Sequence, residues 1–291
     1  MLITVRVPAT SANLGPGFDC LGLALDIWST VTVRTVEGRP PRESIGGRLV
    51  RQGVQAAFEG KQAPRLDVTW DEAIPLARGL GASAALRAAG LLAGNAMLDG
   101  IHDLERLFEM GTSLEGFPDN ISPCLFGGLQ VGVRGRERLI HLAFPVPAAL
   151  KVVVFVPDFE MPTQESRRRL PKSLSREDAI FNSSRVALFL AALAAERYDL
   201  LDEATQDRMH QPVRGEIFPG LGPIMQGAKD GGAVAAYLSG GGSTVAAFTV
   251  ENEERVARLM TQAAISHGYS GRSIITRPTE AGAHIVSGGA P

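Results

Sequence analysis

The chain has 291 residues and a formal net charge of −2, made up of 29 basic and 31 acidic residues dispersed along its length. Because this distribution offers no broad basic face, we expect no nucleic-acid partner. A hydrophobic content of 45% with 33 glycines is typical of a globular chain that is long enough for two domains. Apolar runs stay short of the roughly 20 residues that span a bilayer and no signal peptide is apparent, which favours a cytoplasmic protein without a membrane partner.

The cysteines and histidines argue against a disulfide framework and a zinc site. Cys20 and Cys124 are flanked by apolar and small residues, which is typical of buried thiols in a reducing cytosol. The five histidines form no cluster with the spacing of metal ligands. The chemistry of this chain must therefore come from other motifs.

The first half of the chain alternates between strand and helix patterns. Residues 2–7 alternate between polar and apolar side chains and predict a strand that ends at Pro8, followed by a loop rich in glycine and proline at 9–19. Further along, the patterns predict strands at 30–36, 66–70 and 129–133, helices at 83–97 and about 103–111, and a loop at 115–123.

A proline-rich stretch at 145–150 precedes a strongly apolar run and predicts a domain boundary there, which gives domains 1–149 and 150–291. The second domain mixes strands and helices in an α+β order. The patterns predict strands at 152–156, 233–238, 244–249 and 272–276, helices at 177–197, 200–209 and 253–266, a polar loop at 157–176 and a loosely organised tail at 278–291.

The segment 75–85 is the most informative, because its glycines lead directly into a predicted helix. Exposed backbone N–H groups and the positive end of the helix dipole would converge there on an anion. Ser83 offers one hydroxyl to a phosphate or to its magnesium ion. The pattern is neither a Walker loop nor a dinucleotide fingerprint, and a tight turn with small residues for packing stays an alternative. The segment consists of Pro75, Leu76, Ala77, Arg78, Gly79, Leu80, Gly81, Ala82, Ser83, Ala84 and Ala85.

Two further segments carry chemistry less specifically. Residues 115–120 place Glu115, Asp119 and Asn120 together; carboxylates of this kind hold magnesium, and an amide can orient a hydroxyl nucleophile. The same residue types also form ordinary turns. The glycine turn at 238–244 would by itself predict only a hairpin.

Taken together and in this order, the segments resemble the GHMP superfamily of small-molecule kinases and, within it, most closely the homoserine kinases. Pro-Ala-Thr-Ser-Ala-Asn-Leu-Gly-Pro-Gly-Phe-Asp at 8–19 is similar nearly letter for letter to the opening motif of that family. The resemblance covers essentially the whole chain. It extends to the phosphate loop at 75–85, to 115–120 followed by Gly127 and Gly128, and to 238–244.

The resemblance implies a two-domain, α+β, GHMP-kinase-like fold with a ferredoxin-like second domain and with the ATP and substrate sites at the domain junction. It implies ATP and Mg²⁺ as cofactors and the ATP-dependent phosphorylation of L-homoserine to O-phospho-L-homoserine in threonine biosynthesis. Backbone amides of 79–84 would hold the phosphates, while Ser83 and Glu115 would hold Mg²⁺. Asp19 would bind the ammonium group of the substrate, and Asn13 and Asn120 would position its hydroxyl.

Two arginines make homoserine the preferred substrate. Thr163 and Arg167, followed by Leu-Pro, resemble the substrate loop of the homoserine kinases, and 210–214 resembles its second arginine site at Arg214. A planar guanidinium is the group best suited to grip the α-carboxylate. Single arginines in loops are usually only solvated, so the pair within matching motifs carries this prediction. The resemblance and the prevalence of two-fold oligomers also favour a homodimer.

Some positions depart from the family pattern. Phe117 stands where many homoserine kinases have histidine, Ala82 replaces one serine of the phosphate loop, and Gly241 and Ser243 alter the third motif. The stretch 37–65 is also shorter than expected, so no adenine contacts are assigned. These departures favour lowered or altered activity rather than none. They leave two alternatives open, a GHMP-type kinase of another small alcohol and a nucleotide-binding regulator without catalysis.

The absence of lysine and histidine from the four motifs suggests a mechanism based on positioning. Phosphoryl transfer proceeds largely through alignment and charge neutralisation, so a strong base is not obligatory. Asp119 is the one nearby acid that could accept the hydroxyl proton. The hypothesis is that Asp119 contacts the substrate without being required as a base.

Overall fold

A computed structural model of the chain describes residues 1–38, 44–161 and 163–289, except for the side chains of residues 163, 164, 288 and 289. The strands are β1 (Leu2–Ala12), β2 (Leu21–Thr35), β3 (Leu66–Trp70), β4 (Leu129–Arg134), β5 (Leu139–Phe144), β6 (Lys151–Pro157), β7 (Ala235–Leu238), β8 (Val245–Thr249), β9 (Gly271–Thr276) and β10 (His284–Gly289). The helices are α1 (Ile45–Ala57), α2 (Ala82–Met97), α3 (Leu104–Glu115), α4 (Pro118–Phe126), α5 (Thr163–Arg168), α6 (Arg176–Ala194), α7 (Leu201–Ala204), α8 (Gln211–Ile217), α9 (Leu221–Gly231) and α10 (Glu253–Ser266).

The first sheet is antiparallel and has the order β10-β1-β2-β4-β5, with β3 also paired to β2. Helices α1 and α2 pack against each other, and α2 and α4 pack on β1. The small residues of α2 are mostly buried, as its alanine-rich pattern predicted. The sheet and these helices bring the start of α2 and the start of α4 to the same side of the molecule, where a pocket opens.

The predicted end of the first strand at Pro8 is wrong, because β1 continues to Ala12. Its pairing with β2 shifts between Pro8 and Ala9, where β2 carries two extra residues between Leu25 and Trp28. A bulge of this kind accommodates a proline without ending the strand. Residues 9–12 of the predicted loop therefore belong to the sheet.

The predicted loop at 115–123 is also wrong in its second half. Gly116 ends α3 in the left-handed conformation, and α4 begins one residue later at Pro118. A proline is well suited to the first helical position because its missing N–H has no partner there. Asp119 and Asn120 thus lie in the first turn of a helix rather than in a loop.

The second sheet is antiparallel with the order β7-β8-β6-β9. Helices α9 and α10 pack on each other and on this sheet, which gives the β-α-β-β-α-β arrangement of a ferredoxin-like fold. Because β6 begins the second sheet shortly after β5 ends, we keep the division after residue 149 as a proposal. The tail leaves the second sheet and adds β10 to the edge of the first, so the prediction of a loosely organised tail is wrong for residues 284–289.

Two other predictions in the second half need correction. The polar loop at 157–176 contains α5, and the helix predicted at 200–209 ends at Ala204. It ends there because the carboxylate of Asp207 accepts hydrogen bonds from the backbone N–H groups of Met209, His210 and Gln211 and so starts α8. Among the described helices, none combines the length and the apolar character needed to cross a membrane.

Candidate active site

A cavity of about 470 Å³ lies where the four motifs and the substrate loop meet. The N-terminus of α2 and the start of α4 reach it from the first sheet, while α5, α8 and the β7–β8 turn reach it from the second half. Its lining includes Asn13, Phe18, Asp19, Ile45, Leu76, Ala77, Arg78, Gly79, Gly81, Ala82, Ser83, Glu115, Phe117, Asp119, Asn120, Glu160, Arg167, Arg214, Gly240, Gly241 and Gly242.

Hydrogen bonds between motifs that are far apart in sequence hold this cavity together. The hydroxyl of Ser239 donates to the carbonyl of Gly79 at 2.6 Å, which ties the third motif to the phosphate loop. The N–H of Gly240 donates to the carbonyl of Ala12 at 3.0 Å, which ties the third motif to the opening motif. The β7–β8 turn therefore connects the phosphate loop to the opening motif and is not an isolated hairpin.

The phosphate loop requires glycine at two positions. Gly81 has a φ of +68°, and a Cβ atom there would lie 1.8 Å from Oγ1 of Thr10. Gly79 has a φ of +80°, and its Cβ would lie 2.3 Å from the carbonyl oxygen of Ser239. No side chain caps α2, so the N–H groups of its first turn are available to an anion in the cavity.

The predicted phosphate-loop residues divide into two groups. Those from 76 to 79 and from 81 to 83 line the cavity. Leu80, Ala84 and Ala85 point into the hydrophobic core, so only their backbone can serve a ligand, and Pro75 does not line the cavity. Contacts of these residues with ATP stay a prediction.

Ser83 and Glu115 lie side by side at the start of α2. The Ser83 hydroxyl contacts the two carboxylate oxygens of Glu115 at 2.9 and 3.1 Å. Arg87, one helical turn after Ser83, pairs with Oε1 of Glu115 and is held by the side-chain oxygen of Gln52 at 3.0 Å. In the described part of the chain, no group of three or more histidine, cysteine or acidic residues could bind a metal.

The donor set at Ser83 and Glu115 fits magnesium. A hydroxyl and a carboxylate are hard oxygen ligands, and Mg²⁺ commonly takes one or two of these and completes its shell with water and substrate phosphates. The glycine-lined turn into α2, whose first N–H groups have no side-chain cap, lies beside these two side chains in the same cavity. The two residues thus fit an ion that arrives with a nucleotide better than a resident metal centre.

Asn120 and Asp119 occupy the first turn of α4. The hydroxyl of Thr10 donates to Oδ1 of Asn120 at 2.8 Å, and Nδ2 of Asn120 approaches Oδ1 of Asp119 at 3.3 Å. Asp119 is buried, and the loss of hydration, together with the nearby carboxylates of Asp19 and Glu115, raises its pKa to about 7. The cavity therefore contains an acid that changes charge near neutral pH.

Asn13 fixes the backbone around Asp19. Its Oδ1 accepts a hydrogen bond from the N–H of Asp19 at 3.0 Å, and its Nδ2 donates to the carbonyl of Gly240 at 3.0 Å. One N–H of the Asn13 amide is left for a ligand. Asn13 is therefore part of the support of the site as well as of its lining.

Asp19 and Arg167 form an ion pair within the cavity. Nη1 of Arg167 donates to Oδ1 of Asp19 at 3.2 Å, and Nη2 pairs with Oδ2. Burial raises the pKa of Asp19, against the opposing influence of Arg167 and Arg214. The side chain of Thr163, predicted to act with Arg167, lies outside the described residues.

Arg214 is almost completely buried and held by backbone and imidazole groups. Its Nη1 donates to Nδ1 of His210 at 2.8 Å and to the carbonyl of Gly240 at 3.0 Å, while Nε has no hydrogen-bond partner. Burial and the charge of Arg167 lower the pKa of Arg214 to about 10. His210 donates from Nε2 to the carbonyl of Gly15 at 2.7 Å, and burial lowers its pKa to about 4.

Three residues without a predicted role contact predicted site residues: Arg87 contacts Glu115, Phe18 contacts Arg167, and His210 contacts Arg214. The spacing of four residues from Ser83 places Arg87 on the same helical face, which is a signal that could have found it. Ser243, one of the departures from the family pattern, donates its hydroxyl to the carbonyl of Phe159 at 2.7 Å and does not line the cavity.

Comparison with known proteins identifies the family. Residues 48–128 match the GHMP kinases N terminal domain, and residues 189–268 match the GHMP kinases C terminal domain. The chain is 35% identical to a homoserine kinase of Desulfitobacterium hafniense, over 98% of this chain and 100% of that one. It is 37% identical to a homoserine kinase of Carboxydothermus hydrogenoformans, over 97% of this chain and 96% of that one.

The chain belongs to the homoserine kinase family of GHMP kinases. The crystal structure of a homoserine kinase from Cytophaga hutchinsonii superposes with a TM-score of 0.87 at 25% identity, covering 98% of this chain and 97% of that one. The predicted family and the two-domain, α+β, GHMP-kinase-like fold are therefore confirmed. Of the positions that depart from the family pattern in this homoserine kinase family member, residues 82, 117 and 241 line the cavity described above, whereas residue 243 does not.

Proposed function

We propose that this protein is an ATP-dependent kinase that phosphorylates the side-chain hydroxyl of L-homoserine to O-phospho-L-homoserine, a step of threonine biosynthesis. The observation that carries the proposal is the composition of one cavity. One part of the cavity is the uncapped N-terminus of α2 beside Ser83 and Glu115, which suits the phosphates of a nucleotide. The other part contains the guanidinium groups of Arg167 and Arg214, which suit the carboxylate of an amino acid.

The phosphates of ATP are assigned to the backbone N–H groups of residues 79–84. Glycines at 79 and 81 let the backbone approach the phosphate oxygens without a Cβ in the way. Ser83 and Glu115 would hold Mg²⁺, which supplies positive charge that neutralises the transferred phosphoryl group. Arg87 keeps the Glu115 carboxylate beside the Ser83 hydroxyl at this position.

The substrate is assigned to the charged groups that surround Phe18. Asp19 binds the ammonium group, and Arg167 and Arg214 bind the α-carboxylate. The carboxylate would provide the hydrogen-bond partner that Nε of Arg214 lacks in the free protein. Binding of a zwitterionic amino acid would replace the ion pair between Asp19 and Arg167 by two others. Asp19 would pair with the ammonium group, and Arg167 would pair with the carboxylate.

In the reaction, the hydroxyl oxygen of homoserine forms a bond to the γ-phosphorus as the bond to the bridging oxygen of ADP breaks. Asn120 and Asn13 position the hydroxyl through the free N–H groups of their amides. The hydroxyl proton leaves to solvent or to Asp119, whose pKa of about 7 permits it to accept a proton. Catalysis by positioning predicts that Asp119→Asn loses much less kcat than Glu115→Ala.

Two alternatives are distinguished by substrate and by turnover. A GHMP-type kinase of another small alcohol would use the same phosphate loop, and an alcohol without a carboxylate would have no need of two guanidinium groups in the cavity. A nucleotide-binding regulator would likewise have no use for Arg214, which is costly to bury. The homodimer and a cytoplasmic location also stay predictions.

The test is a coupled ADP-release assay with Mg-ATP and a panel of L-homoserine, mevalonate, galactose and shikimate. Arg167→Ala and Arg214→Ala are compared with Arg185→Ala, a matched control whose guanidinium pairs with Glu203 away from the cavity. We expect turnover of homoserine alone, a large rise in its KM in the first two variants and no change in the third. Turnover of another member would refute the substrate, and ATP binding without any turnover would favour the regulator.

A further inference from the structure

The guanidinium of Arg167 is held by two different kinds of contact. Asp19 pairs with its nitrogens. Two aromatic rings lie beside it: Cζ of Arg167 is over the ring of Phe117, 3.8 Å from its centroid, and over the ring of Phe18, 5.1 Å from its centroid. A cation at this distance from a ring is attracted by the negative face of the π-system.

We propose that Phe117 is a positioning residue for Arg167, which keeps the guanidinium in place for the substrate carboxylate after Asp19 has turned to the substrate ammonium group. The inference rests on the proposed function, because it concerns the same amino-acid site. The ring of Phe117 lies closer to the Arg167 guanidinium than the ring of Phe18 does.

Arg167 would lose part of its support when the substrate binds. In the free protein, its hydrogen bonds within the cavity go to the carboxylate of Asp19. An incoming ammonium group competes for that carboxylate, so part of this hold is given up as the substrate enters. The aromatic contact uses the face of the guanidinium, whereas a carboxylate binds its edge, so the two can coexist.

Arg167 needs such a support because little else constrains it. It belongs to α5, a helix of only six residues, and its side chain is 39% exposed. An exposed arginine side chain would otherwise sample several rotamers, and ordering it would reduce the affinity for substrate. Because the ring of Phe117 already orders the Arg167 side chain in the free protein, this loss of side-chain entropy does not have to occur on substrate binding.

Phe117 is in turn fixed by its backbone. It lies between Gly116, which ends α3 with a φ of +91°, and Pro118, which begins α4. A residue before proline is restricted to extended conformations, and Phe117 has φ −139° and ψ 150°. Its side chain is therefore mounted on a rigid connection between two helices.

The test compares Phe117→Leu, which keeps an apolar side chain without a π-face, with Phe117→Tyr, which keeps the ring. A matched control is Phe181→Leu, because Phe181 stacks on Arg185 at 3.6 Å and on Arg208 at 4.0 Å away from the cavity. Steady-state kinetics would give kcat and the KM values for homoserine and ATP. Calorimetric titration with L-homoserine would give the dissociation constant without turnover.

We expect Phe117→Leu to raise the homoserine KM and dissociation constant about 3- to 10-fold while leaving kcat and the ATP KM within about twofold. Phe117→Tyr should keep the homoserine KM and dissociation constant of the unmodified protein, and Phe181→Leu should not change them. Unchanged homoserine affinity in Phe117→Leu, or a loss confined to kcat, would overturn the inference. Absence of turnover by the unmodified protein would instead overturn the proposed function, while the calorimetric comparison would still decide the role of Phe117.

Discussion

The hydroxyl of Thr10 donates a hydrogen bond of 2.8 Å to Oδ1 of Asn120, across 110 positions of the chain. The bond joins the end of β1 to the first turn of α4 beside Gly81 of the phosphate loop. Because Oδ1 accepts this bond, the orientation of the Asn120 amide is fixed, with its N–H groups on the side away from Thr10. In the proposed reaction, Thr10 would thereby decide which end of the amide faces the substrate hydroxyl.

Removal of this bond should impair catalysis more than binding. In Thr10→Val the side chain keeps its shape, but the Asn120 amide is free to rotate, so we expect kcat to fall about 10-fold and the homoserine KM to change little. Thr10→Ser retains the donor and should keep most of the activity. Steady-state kinetics of the two variants measures the effect, and equal kcat values would show that Thr10 does not orient Asn120.

In the proposed Mg²⁺ site, Arg87 would compete with the ion for the carboxylate of Glu115. Its guanidinium pairs with Oε1, and its positive charge would oppose a second cation at the same carboxylate. We expect Arg87→Met to tighten Mg²⁺ binding about fivefold, the size of a roughly 1 kcal/mol repulsion between screened charges. Titration of Mg²⁺ into the protein with a non-hydrolysable ATP analogue, followed by calorimetry, would measure it.

Arg87→Lys retains the positive charge and is the matched control, so its Mg²⁺ affinity should stay close to that of the unmodified protein. A second variant, Glu115→Gln, should weaken Mg²⁺ binding and remove any difference between arginine and methionine at position 87. Weaker Mg²⁺ binding in Arg87→Met would mean that orientation of the Glu115 carboxylate by Arg87 matters more than charge.

The sequence predicted those features of the fold and site that depend on one short segment of the chain. The helix at 253–266 has the predicted limits because its pattern of apolar residues is periodic, and the glycine-rich turn into α2 is a property of one short segment. Pro8 and the segment 115–123 gave misleading local signals. A bulge let β1 pass through the proline, and Pro118 began a helix where turn-forming residues predicted a loop.

Contacts between distant segments were beyond the reach of such patterns. Asp19 and Arg167 are 148 positions apart, and their pairing depends on how α5 packs against the opening motif. The resemblance to a family supplied both residues as substrate ligands but not their contact with each other. Phe117 was recognised as a departure, and only the structure shows that its ring lies against Arg167.

Asp119 should make the protein more stable in acid than near neutrality. Burial raises its folded pKa to about 7, above the value of 3.8 for a free carboxyl, so its contribution to stability is largest below pH 3.8 and is lost as the pH rises through 7. Asp119→Asn cannot ionise and should be more stable than the unmodified protein by roughly 2–4 kcal/mol at pH 8. The difference in the free energy of unfolding between the two proteins should become smaller as the pH falls below 7.

Urea denaturation of Asp119→Asn and of the unmodified protein at pH 5 and pH 8 measures this effect. Asp202→Asn is the control, since Asp202 pairs with Lys229 outside the cavity and its replacement should not give a gap of this kind. A stability difference for Asp119→Asn that is the same at the two pH values would show that the carboxyl does not titrate in this range.

His210 should act in the opposite direction. Its folded pKa is lowered to about 4 from 6.5, so the neutral ring stabilises the protein fully above pH 6.5, and this contribution is lost as the pH falls towards 4. The neutral ring is required because Nδ1 accepts from Arg214 while Nε2 donates to Gly15. Over the range from pH 6.5 to 4, His210 and Asp119 therefore offset each other in the unmodified protein.

A variant at His210 separates the contribution of this histidine to the free energy of unfolding from that of Asp119. His210→Gln cannot take up a proton, so we expect it to be less stable than the unmodified protein by roughly 1–2 kcal/mol at pH 7.5, through the lost hydrogen bond to Arg214. Because the unmodified protein alone loses stability to protonation of His210, this deficit should shrink by about 2 kcal/mol between pH 6.5 and pH 5. Urea denaturation across that range tests the prediction. A deficit that stays constant would mean that Arg214 is held without the neutral imidazole, and that Gly240 alone fixes the guanidinium.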